Sequence, residues 1–372
     1  MFIIYNNMSK KNNEKYIACL LLHALGDTIG YKNGEWEFNY RKIDISSDFS
    51  NTLLYDFISL GGVNDINLDG WQVSDDTIMH KNTCEILLEE YKDVNDFCDR
   101  LSKLFIKNLS ILKNRHLGNT IQKSLQSIID GLKWNEIPYN QLGGGSGGSM
   151  RTSVIGLAFS GENNRDKLIE YSIEASRITN NSVIGYLGGL VSALFTSYAI
   201  EGINVEEWVF KLIKLLESNK IENYIKSTRD HNFYLLEIKE FIYYWKKYIE
   251  ITFVGKKFKK SKSREIPSFR TEFFSDNFSI NNHLGPGFLG LDSVIFAYDC
   301  LLYAREKWET LIIYSALHLG DSDTTACIAA SWYGALYGFG SVPKNNLKYL
   351  EFKEELYNLG NKIYNKYKIE KK

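Results

Sequence analysis

Two acidic clusters, far apart in the chain, repeat one pattern. The stretch GDSDTT, 320–325, sets Asp321 and Asp323 among Ser322, Thr324 and Thr325, and VSDDTIM, 73–79, sets Asp75 and Asp76 between Ser74 and Thr77. In both, acids and hydroxyls stand just ahead of an apolar run, which is the order of groups at a helix start. Taken singly, such acids cap free N–H groups and complement the helix dipole, contributing about 0.3–1 kcal/mol each. Taken together, four carboxylates would repel one another unless a cation lay between them. An all-oxygen donor set suits Mg²⁺ or Mn²⁺ better than a soft metal. Spacing alone does not say whether the two clusters meet.

Three more stretches could hold a ligand. In GDTIGYKNGEWEF, 26–38, the glycines and Asn33 predict turns that present Asp27, Glu35, Trp36 and Glu37 on an irregular loop. That loop is either a structural turn with an aromatic plug or an acid and a ring held at a pocket mouth. LGGGSGGSMRTSVIGL, 142–157, reads either as a linker or as a loop that brings Gly145, Ser146, Gly147 and Gly148 to a phosphate at a helix start. It is no P-loop, since the required Lys is missing after Gly148. NNHLGPGFLGLDSVIFAYD, 281–299, is either a turn punctuated by Gly285, Pro286 and Gly287 or a flexible wrap with Phe288 as a stacking surface.

The elements that must position these groups read as helices. The chain has 372 residues, 44% hydrophobic and 24% charged, with four prolines and material for a large core. A first helix is expected from about Glu14 to Ile29, after a disordered lead-in over residues 1–13. Amphipathic patterns follow the SDDT stretch, and 201–250 reads as two or three more helices. The uncharged run from Asn180 to Ile200 is long enough to cross a membrane, but its glycines and hydroxyls favour a central buried helix. A net charge of -1 gives no general attraction to nucleic acid or anionic membrane, and the basic run Gly255 to Arg264 reads as a solvated loop. Five scattered cysteines without CxxC spacing and the lack of a secretory pattern point to reduced, buried thiols and a cytoplasmic location. No histidine pair suggests zinc.

Read together and in order, GDTIGYKNGEWEF, VSDDTIMH, GGSGGSMR, GYLGGLVSALFTSYA, FAYD and GDSDTTACIAASWYGALYGF resemble the ADP-ribosylglycohydrolase family, closest to its ADP-ribosylarginine hydrolase branch. The resemblance implies an all-α fold, one compact bundle of orthogonally packed helices forming a single catalytic domain over 14–368, acting as a monomer. It implies two Mg²⁺ ions, with Mn²⁺ as a substitute, held by Ser74, Asp75, Asp76, Asp321, Asp323 and Thr324. Gly145, Ser146, Gly147, Gly148, Ser149, Met150 and Arg151 would cradle the diphosphate of ADP-ribose, and Gly287 and Asp292 would lie toward its adenine side. Asp75 or Asp76 would handle the attacking water, and Glu37 the guanidine side. The substrate would be ADP-ribosylated protein and the product ADP-ribose. Asn180 replaces the branch's usual histidine and Ser146 its usual cysteine, which keeps serine-linked ADP-ribose, O-acetyl-ADP-ribose and free polymer open as substrates. A non-catalytic ADP-ribose reader or structural protein, and a metal phosphohydrolase, are the alternatives of other classes.

Overall fold

The computed structural model describes the backbone of residues 2–39, 49–278 and 285–368, and the side chains of 12–38, 52–278 and 285–368. Among them the fold is all-α, as expected, relieved by one short antiparallel hairpin pairing Phe253–Val254 with Lys257–Phe258. A contiguous apolar core draws on residues from Tyr16 to Ile363.

The opening helix, Phe2–Tyr31, runs through that core, and every residue from Tyr16 to Tyr31 is buried. It begins earlier than the expected start near Glu14, since lengthening a nucleated helix adds one hydrogen bond per residue fixed. The side chains of residues 1–11, where most of the expected lead-in falls, lie outside the described ones. The helix runs on to Tyr31, so Asp27, read as part of the 26–38 loop, is helical. Gly26 and Gly30 do not turn the chain there. A Cβ at Gly26 would stand 2.5 Å from the Ala326 carbonyl oxygen, and one at Gly30 would stand 2.4 Å from that of Ser322. These glycines, with Gly334 against Ala18, let the opening helix lie almost in contact with the backbone of the Ser322–Tyr337 helix.

The apolar helix Val183–Glu201 is the one described helix long and apolar enough to span a membrane, and 89% of its apolar window is buried inside the fold. Its glycines are contact points too: a Cβ at Gly188 would stand 2.3 Å from the Gly290 carbonyl oxygen. The basic run behaves as a solvated hairpin except at its end. Arg264 is buried and donates to Asp299 at 2.8 Å, while Arg270 and the Tyr248 hydroxyl donate to the same carboxylate. The FAYD motif therefore anchors the Pro267–Phe278 helix to the core. All five cysteines are free and buried.

Candidate active site

Both acidic clusters are helix starts, and the fold brings them together. Asp75 and Asp76 open the Asp75–Leu88 helix, with Ser74 as its cap: the Ser74 hydroxyl accepts the Asp76 N–H at 3.1 Å. Asp321 stands at the N-cap position of the Ser322–Tyr337 helix without a side-chain capping bond, and Asp323 and Thr324 lie in its first turn. The Thr324 hydroxyl donates to Asp76 Oδ2 at 2.9 Å, joining the two clusters directly. Asp75, Asp76, Asp321, Asp323 and Thr324 line one cavity of about 640 Å³. Ser74, expected among the ligands, does not line it and serves as the cap.

Glu37 joins the acids. Its backbone is fixed because the following residue, Phe38, donates its N–H to the Gly320 carbonyl at 3.1 Å. Carboxylate oxygens of Glu37, Asp321 and Asp323 lie within 4.8 Å of one another, all three residues buried. Burial, then the charge of Asp323, pushes the Glu37 carboxyl up to about 8, although the hydrogen bond from His116 works the other way. Burial likewise raises Asp75 to about 8, with Asp27 adding to it, and Asp321 to about 7. Asp76 and Asp323 rise as well, from burial and from their acidic neighbours. A buried set of oxygen donors that resist ionising side by side fits a hard divalent cation.

The glycine-rich loop forms one wall. Gly145, Ser146, Gly147 and Met150 line the cavity, and the Ser146 hydroxyl donates to Asp321 Oδ2 at 3.0 Å. A Cβ at Gly147 would stand 2.6 Å from Asn180 Oδ1, and one at Gly148 would stand 2.7 Å from Ser176 Oγ, so the loop needs glycine to pack. Gly148 and Ser149 face the interior, and Ser149 Oγ accepts from Ser293. Arg151 does not reach the cavity. Its fully buried guanidinium donates to the Gly147 carbonyl, to Ala175 O at 2.9 Å and to Thr179 Oγ1 at 2.7 Å, so it buttresses the loop from behind. The family resemblance implies a diphosphate contact for Arg151, but here its burial turns it inward.

The second loop is shaped by Asp292, whose carboxylate accepts the N–H of Gly287 at 3.2 Å and of Leu289 at 2.8 Å. Neither Asp292 nor Gly287 lines the cavity, but Phe288 does, with its ring 5.9 Å from that of Phe38. Backbone bonds from Ser146 N to Phe288 O and from Gly290 N to Gly144 O, each 2.9 Å, tie the two loops together.

Other lining residues carry no motif. Lys113, His116 and the start of the Asn119–Ile129 helix also line the cavity, the helix packing Ile121 against Gly147, and His116 Nδ1 lies 3.1 Å from Glu37 Oε2. That contact raises His116 above its ordinary value. Asn180 lines the cavity as well, donating to the Gly145 carbonyl at 3.2 Å. Its mismatch with the family pattern was the only sequence signal among these.

The site therefore defines a class: a helical protein with a buried acidic cluster of metal-binding type under a glycine-rich wall. The chain belongs to the ADP-ribosylglycohydrolase family, whose model matches residues 8–371. It is 38% identical over 353 residues to a protein of Acanthamoeba polyphaga mimivirus that carries the name ADP-ribosyl glycohydrolase, covering 91% of this chain and 68% of that one. It is 35% identical to ADP-ribosylhydrolase ARH1 of Dictyostelium discoideum, covering 96% and 95%. To ADP-ribosylhydrolase ARH3 of Danio rerio it is 27% identical, covering 95% and 90%. A solved structure titled ADP-ribosylglycohydrolase-related protein complex shares the fold, with a TM-score of 0.57 at 18% identity over 96% of this chain and 99% of that one.

Proposed function

We propose that the protein releases ADP-ribose from mono-ADP-ribosylated protein by hydrolysing the N-glycosidic bond to arginine. Family membership supports the glycohydrolase class. The observation that carries the reading is the meeting of both acidic motifs and Glu37 at one cavity wall. The arginine linkage follows the motif resemblance and the near full-length similarity to the Dictyostelium ARH1.

In this reading Asp75, Asp76, Asp321, Asp323 and Thr324 hold Mg²⁺, as two ions, with Mn²⁺ able to replace it. The metal supplies a template and a Lewis acid for ribose hydroxyls. Gly145, Ser146 and Gly147 form the wall along which a diphosphate lies, and Phe38 and Phe288 give it an apolar edge. Cleavage of an N-glycosidic bond passes through an oxocarbenium-like state, so it needs a held sugar, a proton for the leaving nitrogen and a water on the other face. In this reading Glu37, in contact with His116, holds the proton on the guanidine side, and Asp75 or Asp76 orients the water; the contact and the shared cavity support it.

The test compares ADP-ribose release from arginine-linked and serine-linked peptides, each with Mg²⁺ and with EDTA. Mg²⁺-dependent release from the arginine peptide is the expected result. Ser146 and Asn180, the two departures from the arginine-branch pattern, both line the cavity, and release from the serine peptide alone would make serine the linkage. Binding of ADP-ribose without release from either peptide would make the protein a reader.

A further inference from the structure

Two buried side chains of the opening helix reach the two halves of this site. His23 and Asp27 lie one helical turn apart, and neither is exposed. Asp27 accepts the Ser74 N–H at 3.1 Å on both oxygens and the Thr77 N–H at 3.2 Å, and the Thr77 hydroxyl donates to Oδ2. It thus caps, from another element, the helix start that carries Asp75 and Asp76.

His23 serves the other half. Its Nε2 lies 2.7 Å from the Met150 carbonyl oxygen, which can only accept, so the ring donates there and holds the end of the glycine-rich loop. The ring stacks on His80, with centroids 3.9 Å apart and planes within 8°. His80 follows Asp76 by one turn, and its Nε2 lies 2.8 Å from Ser153 Oγ, the first residue past the loop's far side. The loop is held at Met150 by one helix and at Ser153 by the other.

We infer that Asp27 and His23 are positioning residues with separate duties, Asp27 setting the metal-binding acids and His23 setting the glycine-rich wall against them. The inference rests on the proposed metal-dependent ADP-ribose site. A residue that merely filled the core would affect both halves alike.

The experiment measures Mn²⁺ binding to the metal-free protein and ADP-ribose binding in EDTA, both by calorimetry, alongside thermal melting. Asp27→Asn keeps the shape but turns an amide toward donors, and is expected to weaken Mn²⁺ by about 10-fold to 100-fold while ADP-ribose binding in EDTA holds. Thr77→Val, a milder cut into the same bond, should weaken Mn²⁺ by a smaller factor. His23→Leu is expected to weaken ADP-ribose by about fivefold or more and Mn²⁺ by a clearly smaller factor, since the stacked His80 ring shares the helix of Asp75 and Asp76. His23→Gln, which can still donate to Met150, should recover much of the loss. Equal losses of both ligands in every variant, or none in any, would overturn the inference while leaving the site intact. Wild-type protein that binds no Mn²⁺ would overturn the metal reading itself, and the inference with it.

Discussion

Each acid here has a distinct local reason for its state. Asp321 and Asp323 share one helix start with Glu37 packed against them, whereas Asp76 takes the Thr324 hydroxyl as well as its own helix position. Removing one charge should therefore break the set rather than trim it. Asp323→Asn and Asp75→Asn are each expected to lose Mn²⁺ binding and ADP-ribose release together, by about 100-fold or more, as read by calorimetry and product assay. Retained turnover in a folded double variant would end the metal reading. Glu37→Gln makes a different prediction: it preserves size and a hydrogen bond to His116, so turnover should drop while ADP-ribose binding changes little.

At the scale of elements, glycine decides how closely the helices bearing the site approach. The Gly30 position faces backbone, which cannot swing aside as a flexible side chain would. Gly30→Ala is expected to destabilise the fold by about 1–3 kcal/mol, measured by denaturant unfolding, despite the better helix propensity of alanine. The Asp299 carboxylate makes a second test of an element's anchorage. Asp299→Ala would strand two buried guanidinium groups, Arg264 and Arg270, and should cost about 3–5 kcal/mol by the same measurement, with the site acids untouched. Equal stability of this variant and wild type would show that the Pro267–Phe278 helix is held by its aromatic contacts instead.

Over the whole molecule, the balance of buried titrating groups makes the stability of metal-free protein fall as pH rises. Carboxyls raised to about 7 or 8, such as Asp321, Asp75 and Glu37, bind protons more tightly folded than unfolded. Their contribution is complete below the ordinary carboxyl range and is lost as pH rises through those values. His23 is pushed down to about 4 and His318 to about 3, chiefly by burial, so their contribution is present above the ordinary histidine value and lost as pH falls below it. Three such carboxyls outweigh two such histidines, so melting in EDTA should already fall from about pH 5 and fall more steeply between about pH 6.5 and pH 8. Saturating Mg²⁺ should remove the alkaline decline, adding about 2.7 kcal/mol at a hundredfold excess over Kd. A flat alkaline limb in EDTA would mean that the cluster ionises freely.

The helical class, the buried Val183–Glu201 helix and the two acidic helix starts could be read from the chain, because caps, periodicity and composition are local properties. The meeting of SDDT and GDSDTT was legible only through the family resemblance, since no local rule joins positions this far apart. Tertiary structure alone decided which way side chains face. Arg151 turned inward because backbone carbonyls and Thr179 satisfy its buried charge. Asp27 left the expected loop because glycines beside it serve helix contact instead of turning. His116 and Lys113 came to the cavity with no motif to mark them, for a wall is made by whichever element packs there.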